Sequence, residues 1–264
     1  MESPLPRIEI LSEQIDFRFV SKWYDLADES HFWMQWRFRI FRETLKSLNL
    51  PIQESRHGLE VGCGHGVVRQ QLERATAWTL DGTDIDMEAL KQNRPGRGQT
   101  YYYNIFDRHP SLKDRYDFLV LFDVLEHIEQ PKEFLEACLF HLKPGGYLLI
   151  NVPALQSLWG PYDKAAGHIR RYNKKSLGEE LSSVGSRLID VRYWGFSMLP
   201  LLMLRNALTS FKKSPAETIK RGFNPPNKFI HAFLKLLMRA ETFLLRRPPS
   251  GTSVFSVSSK NKIL

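Results

Sequence analysis

Residues 59–66, Leu-Glu-Val-Gly-Cys-Gly-His-Gly, constrain this chain more than any other stretch. Three glycines at every second position follow an acidic residue and a short apolar run. The pattern reads as a β-strand turning tightly into a helix, with the backbone left bare for a ligand. Glycine adopts positive φ at no steric cost and lets a ligand approach the main chain closely. A glycine turn between strand and helix is the nucleotide-binding turn of doubly wound α/β sheets. Dinucleotide folds space it Gly-x-Gly-x-x-Gly. Here the third glycine comes one residue early, which argues against a nicotinamide dehydrogenase.

Residues 78–86 read as a second strand with an acidic end, Trp-Thr-Leu-Asp-Gly-Thr-Asp-Ile-Asp. An acid about 20 residues past the glycines accepts hydrogen bonds from ribose hydroxyls. Asp84 and Asp86 stand near that distance; either also reads as the N-cap of the helix that follows, a role that suits Asp86 better. Residues 101–106, Tyr-Tyr-Tyr-Asn-Ile-Phe, end a third strand, where Asn104 offers a carbonyl acceptor or simply turns the chain. Residues 118–122 are continuously apolar, as a central strand covered on both faces must be. Leu142-Lys-Pro-Gly-Gly then ends a helix and turns into another buried strand at 146–152.

In that order, Glu60 with Gly62, Gly64 and Gly66, the Gly82-Thr-Asp-Ile-Asp segment, and strand–Asp-x-x-Glu-His followed by Leu-Lys-Pro-Gly-Gly–strand resemble class I S-adenosylmethionine-dependent methyltransferases. The resemblance runs from about residue 58 to 154. His31-Phe-Trp-Met-Gln-Trp-Arg, Gly167-His-Ile-Arg-Arg-Tyr and Pro249-Ser-Gly-Thr-Ser resemble the ubiquinone-pathway O-methyltransferase-like subgroup. The resemblance implies S-adenosylmethionine as cofactor. It implies contacts from Glu60, Gly62, Gly64, Gly66, Asp84, Ile85, Asn104, Ile105, Phe122 and Asp123, with Arg37 reaching the methionine carboxylate. Asn104 and Ile105 depart from the acidic and small residues that the family places there.

Methyl transfer to oxygen asks mainly for positioning and for removal of the acceptor proton. His127 and His168 follow the carboxyl ends of strands, where open α/β sheets bind ligands, and are the candidate catalytic residues. Asp123, Glu126 and His127 stand at i, i+3 and i+4. With His168 they resemble the divalent-metal set of small-RNA 3′-terminal methyltransferases, with Asp for the first Glu. Leu-Glu-His is also common in metal-free members, so no metal is favoured. Arg170, Arg171 and Tyr172 form a basic aromatic cluster that would pair a phosphate or carboxylate on the acceptor. The same cluster also reads as a salt-bridged loop anchor.

At 264 residues and 42% hydrophobic content, the chain fits one elaborated α/β domain. Two cysteines exclude a disulfide scaffold, and no secretory pattern opens the chain, so a cytoplasmic protein is expected. The charge is uneven. Residues 1–199 carry 25 basic and 27 acidic side chains, whereas residues 200–250 carry 10 and 2. Residues 227–247 read as a basic amphipathic helix, too short an apolar run to span a bilayer but suited to the inner face of a membrane. Nucleic acid is disfavoured, because stacking aromatics do not interleave with those charges.

The expected fold is a Rossmann-like, doubly wound, seven-stranded α/β sheet. Residues 1–50 form a helical cap, with helices at 12–26 and 30–48. Residues 51–196 and 249–264 form the core, and 197–248 a basic amphipathic helical insertion before the last strand. That strand, 253–260, pairs antiparallel with 188–196. The expected activity is O-methylation of a small or lipid-linked acceptor. Two alternatives stand beside it: a metal-assisted RNA-terminal methyltransferase, and a non-catalytic cofactor-binding scaffold.

Overall fold

The computed structural model describes residues 7–17, 28–50, 52–208, 217–218 and 227–261. The strands are β1 (Ile8–Ile10), β2 (His57–Val61), β3 (Thr79–Asp84), β4 (Thr100–Tyr102), β5 (Tyr116–Phe122), β6 (Leu142–Pro153), β7 (Ser186–Trp194) and β8 (Ser253–Lys260). They form one sheet in the order β1-β4-β3-β2-β5-β6-β8-β7. β8 runs antiparallel between β6 and β7, and the other pairings are parallel. The helices are α1 (Phe32–Ser47), α2 (Val67–Ala75), α3 (Met87–Lys91), α4 (Pro131–His141), α5 (Pro161–Ala166), α6 (Lys174–Ser183), α7 (Leu199–Leu208) and α8 (Lys228–Leu244).

β5 shows why the central strands read as unbroken apolar runs. Phe118, Val120 and Phe122 point to one face, into a core shared with Trp36, Ile40 and Phe41 of α1. Leu119 and Leu121 point to the other, against Phe134 and Leu135 of α4 and Leu177 of α6. A strand covered on both faces has no polar side to alternate with. α1 turns Phe32, Trp36, Ile40 and Phe41 inward at helical spacing, and Phe41 packs edge-on against Phe122 at 5.9 Å and Phe255 at 6.3 Å. The chain order reverses between β2 and β5, and a doubly wound sheet opens its ligand crevice at that switch.

Three expectations need correction. The sheet has eight strands, not seven. The extra one, β1, lies within the residues read as a helical cap and pairs with β4 at the sheet edge. Three residues are too few to display a period. The helix expected at 12–26 is absent over residues 12–17, which run as irregular chain; residues 18–26 lie outside the described residues. The Lys-Pro-Gly-Gly turn does not precede β6 but bulges within it: Tyr116 pairs Leu142 and Phe118 pairs Tyr147. The antiparallel pairing of the last strand is as expected. Among the described residues, no helix is long and apolar enough to cross a membrane.

Candidate active site

A cavity of about 520 Å³ opens at the β2–β5 switch, lined by the glycine loop, the ends of β3 and β5, and His127 and His168. Such a volume lies within the range of small-molecule sites, about 300–1,000 Å³.

The glycine loop is held from β3. The Gly62 and Cys63 N–H groups donate to the Thr83 carbonyl at 2.8 and 3.0 Å. Gly62 has φ +73°, and a Cβ there would meet Val124 Cγ2 at 2.6 Å. Backbone sign and space therefore both demand glycine. Gly64, at φ +50°, donates its N–H to Asp84 Oδ2 at 2.8 Å. Gly66 starts α2 in the left-handed region and, unlike the other two glycines, does not line the cavity.

Asp84 takes one backbone donor on each oxygen, Gly64 at 2.8 Å and Asp86 at 2.9 Å. Each oxygen keeps a lone pair for a ligand hydroxyl. Burial raises its carboxyl above the usual range despite those bonds. Asp86 caps α3 through Glu88 and Ala89, the role its position suggested. Ile85, Ile105 and Phe106 supply apolar walls. Asn104 reaches the cavity too, but its side-chain oxygen accepts the Phe106 N–H at 3.2 Å, so it also turns the chain.

Glu60, at the end of β2, is buried with Oε2 lacking a partner. Burial pushes its carboxyl up to about 8, against the pull of Arg37 and Arg69. Arg37 lies on α1 beneath this floor. Its Nη1 is 2.5 Å from Asp123 Oδ2, and its guanidinium lies 5.0 Å over the Phe122 ring. The ion pair takes one of five guanidinium donors, so Arg37, which lines the cavity, keeps others for a ligand. Asp123 itself sits at φ +60°. Asn151 Nδ2 holds its other oxygen at 2.6 Å, and Trp194 Nε1 holds Asn151 Oδ1 at 2.9 Å.

Across the cavity, Asp163 organises the loop after β6. It is fully buried. Its Oδ1 accepts from His168 Nδ1 and Arg171 Nε, both at 2.8 Å, and its Oδ2 from the Gly160 N–H at 2.8 Å and Arg171 Nη2 at 3.1 Å. Nδ1 therefore carries the His168 proton, and Nε2 is the bare nitrogen. His127 Nδ1 donates to the Gly167 carbonyl at 3.0 Å. Burial and the neighbouring His168 hold its imidazole neutral, down to about 4. Glu126 is wholly buried, neither carboxylate oxygen has a hydrogen-bond partner, and burial raises its carboxyl well above the ordinary range. One ligand atom each from Glu126, His127 and His168 lie within 4.8 Å of one another, a group that could hold a cation. Asp123 is not in that group; Arg37 and Asn151 engage it instead.

The three residues expected to hold the acceptor do not reach the cavity. Arg171 is spent on Asp163 and on the Ala154 carbonyl at 2.9 Å. Arg170 caps the Glu129 carbonyl at 3.0 Å. Tyr172 is buried in the core and bridges Ala154. Arg171 and Tyr172 face inward, while Arg170 makes its bond at the surface. Asp163 and Asn151 were not singled out from the sequence. Asp163 precedes His168 by only five residues, which was the available clue.

Residues 33–191 match the family described as "Methyltransferase domain". A ubiquinone biosynthesis O-methyltransferase of Proteus mirabilis is 30% identical over 144 residues, 50% of this chain and 55% of the relative. The chain thus spans about half the length of that curated relative. A SAM-dependent methyltransferase from Archaeoglobus fulgidus superposes with TM-score 0.51 at 16% identity, covering 84% of this chain and 94% of that one. The [4+2]-cyclase SpnF superposes with TM-score 0.57 at 16% identity, covering 90% and 85%. Likeness at that identity speaks to fold alone, since one fold hosts unrelated chemistries. The family match covers more than half the chain and includes the glycine loop, Asp84 and His127. The chain belongs to the methyltransferase domain family, within the class I S-adenosylmethionine-dependent methyltransferases.

Proposed function

We propose that this protein methylates a hydroxyl oxygen of a small or lipid-linked acceptor, with His168 as general base. The carrying observation is the Asp163–His168 pair at 2.8 Å, which leaves Nε2 without a proton at the cavity, 3.9 Å from Glu126 Oε1 and beyond hydrogen-bond reach of it. A nitrogen in that state accepts the proton that an acceptor hydroxyl must lose. Asp163 keeps the tautomer and steadies the imidazolium that forms. The ubiquinone biosynthesis O-methyltransferases among the relatives support oxygen as the accepting atom.

The cavity suits the cofactor. Bound S-adenosylmethionine supplies a sulfonium-activated methyl group. Glu60 would receive its ammonium, because a buried carboxylate oxygen without a partner calls for a cation. Asp84 would accept from its ribose hydroxyls, Ile85 and Ile105 would flank its ring, and Gly62 and Gly64 leave the main chain open to it. Asn104, Phe122, Asp123 and Arg37 complete the enclosure.

Glu60 gives this reading a proton signature. With its carboxyl near 8, it is largely protonated at pH 7. A ligand ammonium favours the carboxylate, so binding at pH 7 expels about one proton per site. Calorimetry in buffers of different ionisation enthalpy reads that proton directly. Glu60→Gln abolishes the buffer dependence and weakens binding; a wild type without buffer dependence would remove Glu60 from the ammonium site.

A second reading rests on Glu126, whose two buried oxygens make no hydrogen bond and of which Oε1 lies 3.9 Å from His168 Nε2, beside His127. Mixed carboxylate and imidazole donors suit Mn²⁺, Fe²⁺ or Zn²⁺ better than Mg²⁺. Such an ion would polarise the acceptor hydroxyl and lower its pKa, so that the proton departs to water rather than to a protein base. The base reading expects full turnover after exhaustive chelation. Loss of turnover that Mn²⁺ or Zn²⁺ restores selects the metal reading.

A further inference from the structure

Helix α8 is amphipathic in an unusual sense, because it has two apolar faces. One carries Leu234 and Met238, 6% and 3% exposed, against the core. The other carries Phe229, Phe233, Leu236, Phe243 and Leu244, which are 76%, 57%, 65%, 81% and 73% exposed. At about 100° per residue these five share one sector roughly 100° wide, opposite the buried face. Large exposed apolar patches mark sites of interaction.

The helix cannot roll this stripe inward. Glu241 accepts from the backbone N–H groups of Gly195, Phe196 and Ser197 at 2.9, 3.0 and 2.7 Å. At the other end His231 Nε2 accepts the Phe32 N–H, at the start of α1, at 3.1 Å. α8 is therefore pinned at both ends with the three phenylalanines outward.

Charge identifies the occupant. Lys228, Lys235 and Arg239 follow one another at spacings of 7 and 4, a line along one flank of the stripe. Glu241 is the one acid of α8, and it is buried and engaged. The free face thus offers rings bordered by the helix's own cations with no acid of α8 among them, while Asp28 stands near the His231 end. An anionic lipid monolayer complements both: acyl chains take the rings, and headgroup phosphates take the ammonium and guanidinium groups. Protein interfaces are depleted in lysine relative to the rest of the surface, whereas Lys228 and Lys235 border this stripe.

We infer that α8 is a pre-formed docking surface for anionic membranes, with Phe229, Phe233 and Phe243 as inserted anchors. The inference does not depend on which acceptor is methylated. The test is co-sedimentation of the whole chain with phosphatidylglycerol vesicles and with phosphatidylcholine vesicles. The wild type partitions to phosphatidylglycerol and weakens as salt rises. The triple variant Phe229→Ser, Phe233→Ser, Phe243→Ser no longer sediments. The variant Lys228→Glu, Lys235→Glu, Arg239→Glu loses at least about tenfold in partitioning, since each basic residue near an anionic surface adds on the order of 1 kcal/mol. Both variants keep the wild-type melting temperature and S-adenosylmethionine affinity, which separates this surface from the cofactor reading. Any of three results overturns the inference: no partitioning of the wild type to phosphatidylglycerol, undiminished partitioning of the phenylalanine variant, or a wild-type dimer by light scattering that becomes a monomer in that variant.

Discussion

His168→Ala lowers kcat by about 10²–10⁴, the usual contribution of a positioned general base, while affinity for S-adenosylmethionine stays nearly unchanged. The two parameters separate because His168 stands across the cavity from Glu60 and Asp84, on the loop after β6. Added imidazole restores part of the turnover, because the space left by the side chain opens on the cavity. A variant with wild-type kcat would end the base assignment. A variant that loses cofactor affinity in proportion would make His168 part of the cofactor site.

Asp163→Ala destabilises the fold by about 3–5 kcal/mol, measured by urea unfolding. The side chain it removes is fully buried and satisfies four donors at once. Arg171, itself 9% exposed, would be left as an uncompensated buried cation. Breaking one partner out of a buried pair is far costlier than losing a surface ion pair, which contributes about 0–1 kcal/mol. Asp163→Asn keeps an acceptor for Gly160 but presents an amide to His168. It therefore loses less stability and still lowers kcat, because the imidazolium loses its anion. A loss below about 1 kcal/mol for Asp163→Ala would show that water reaches the loop and screens Arg171.

The cofactor side of the site was legible because its residues act through local geometry. Gly62 and Gly64 announce positive φ, and Asp84 ends a strand at a readable distance from them. The acceptor side was not, because it depends on direction. Arg170, Arg171 and Tyr172 look the same in sequence whether they face a ligand or a buried carboxylate. Here the burial of Asp163 draws Arg171 inward. The Arg37–Asp123 pair joins residues 86 positions apart and follows only from packing α1 across β5. β1 escaped because three residues carry no periodicity, whereas β5 was plain because burial on both faces left it no polar residue between 118 and 122.

The β7–β8 pairing carries a consequence for how such a protein diversifies. Trp194 and Ser253 are register partners, so the segment 195–252 leaves the sheet and returns to it at neighbouring points. A short hairpin turn would close the same gap. Genetic exchange at these two points replaces the whole segment that carries α8 in one event, leaving the glycine loop, Asp84 and the Asp163–His168 pair in place. One catalytic scaffold can in this way be readdressed to a new surface or a new acceptor without relearning its chemistry.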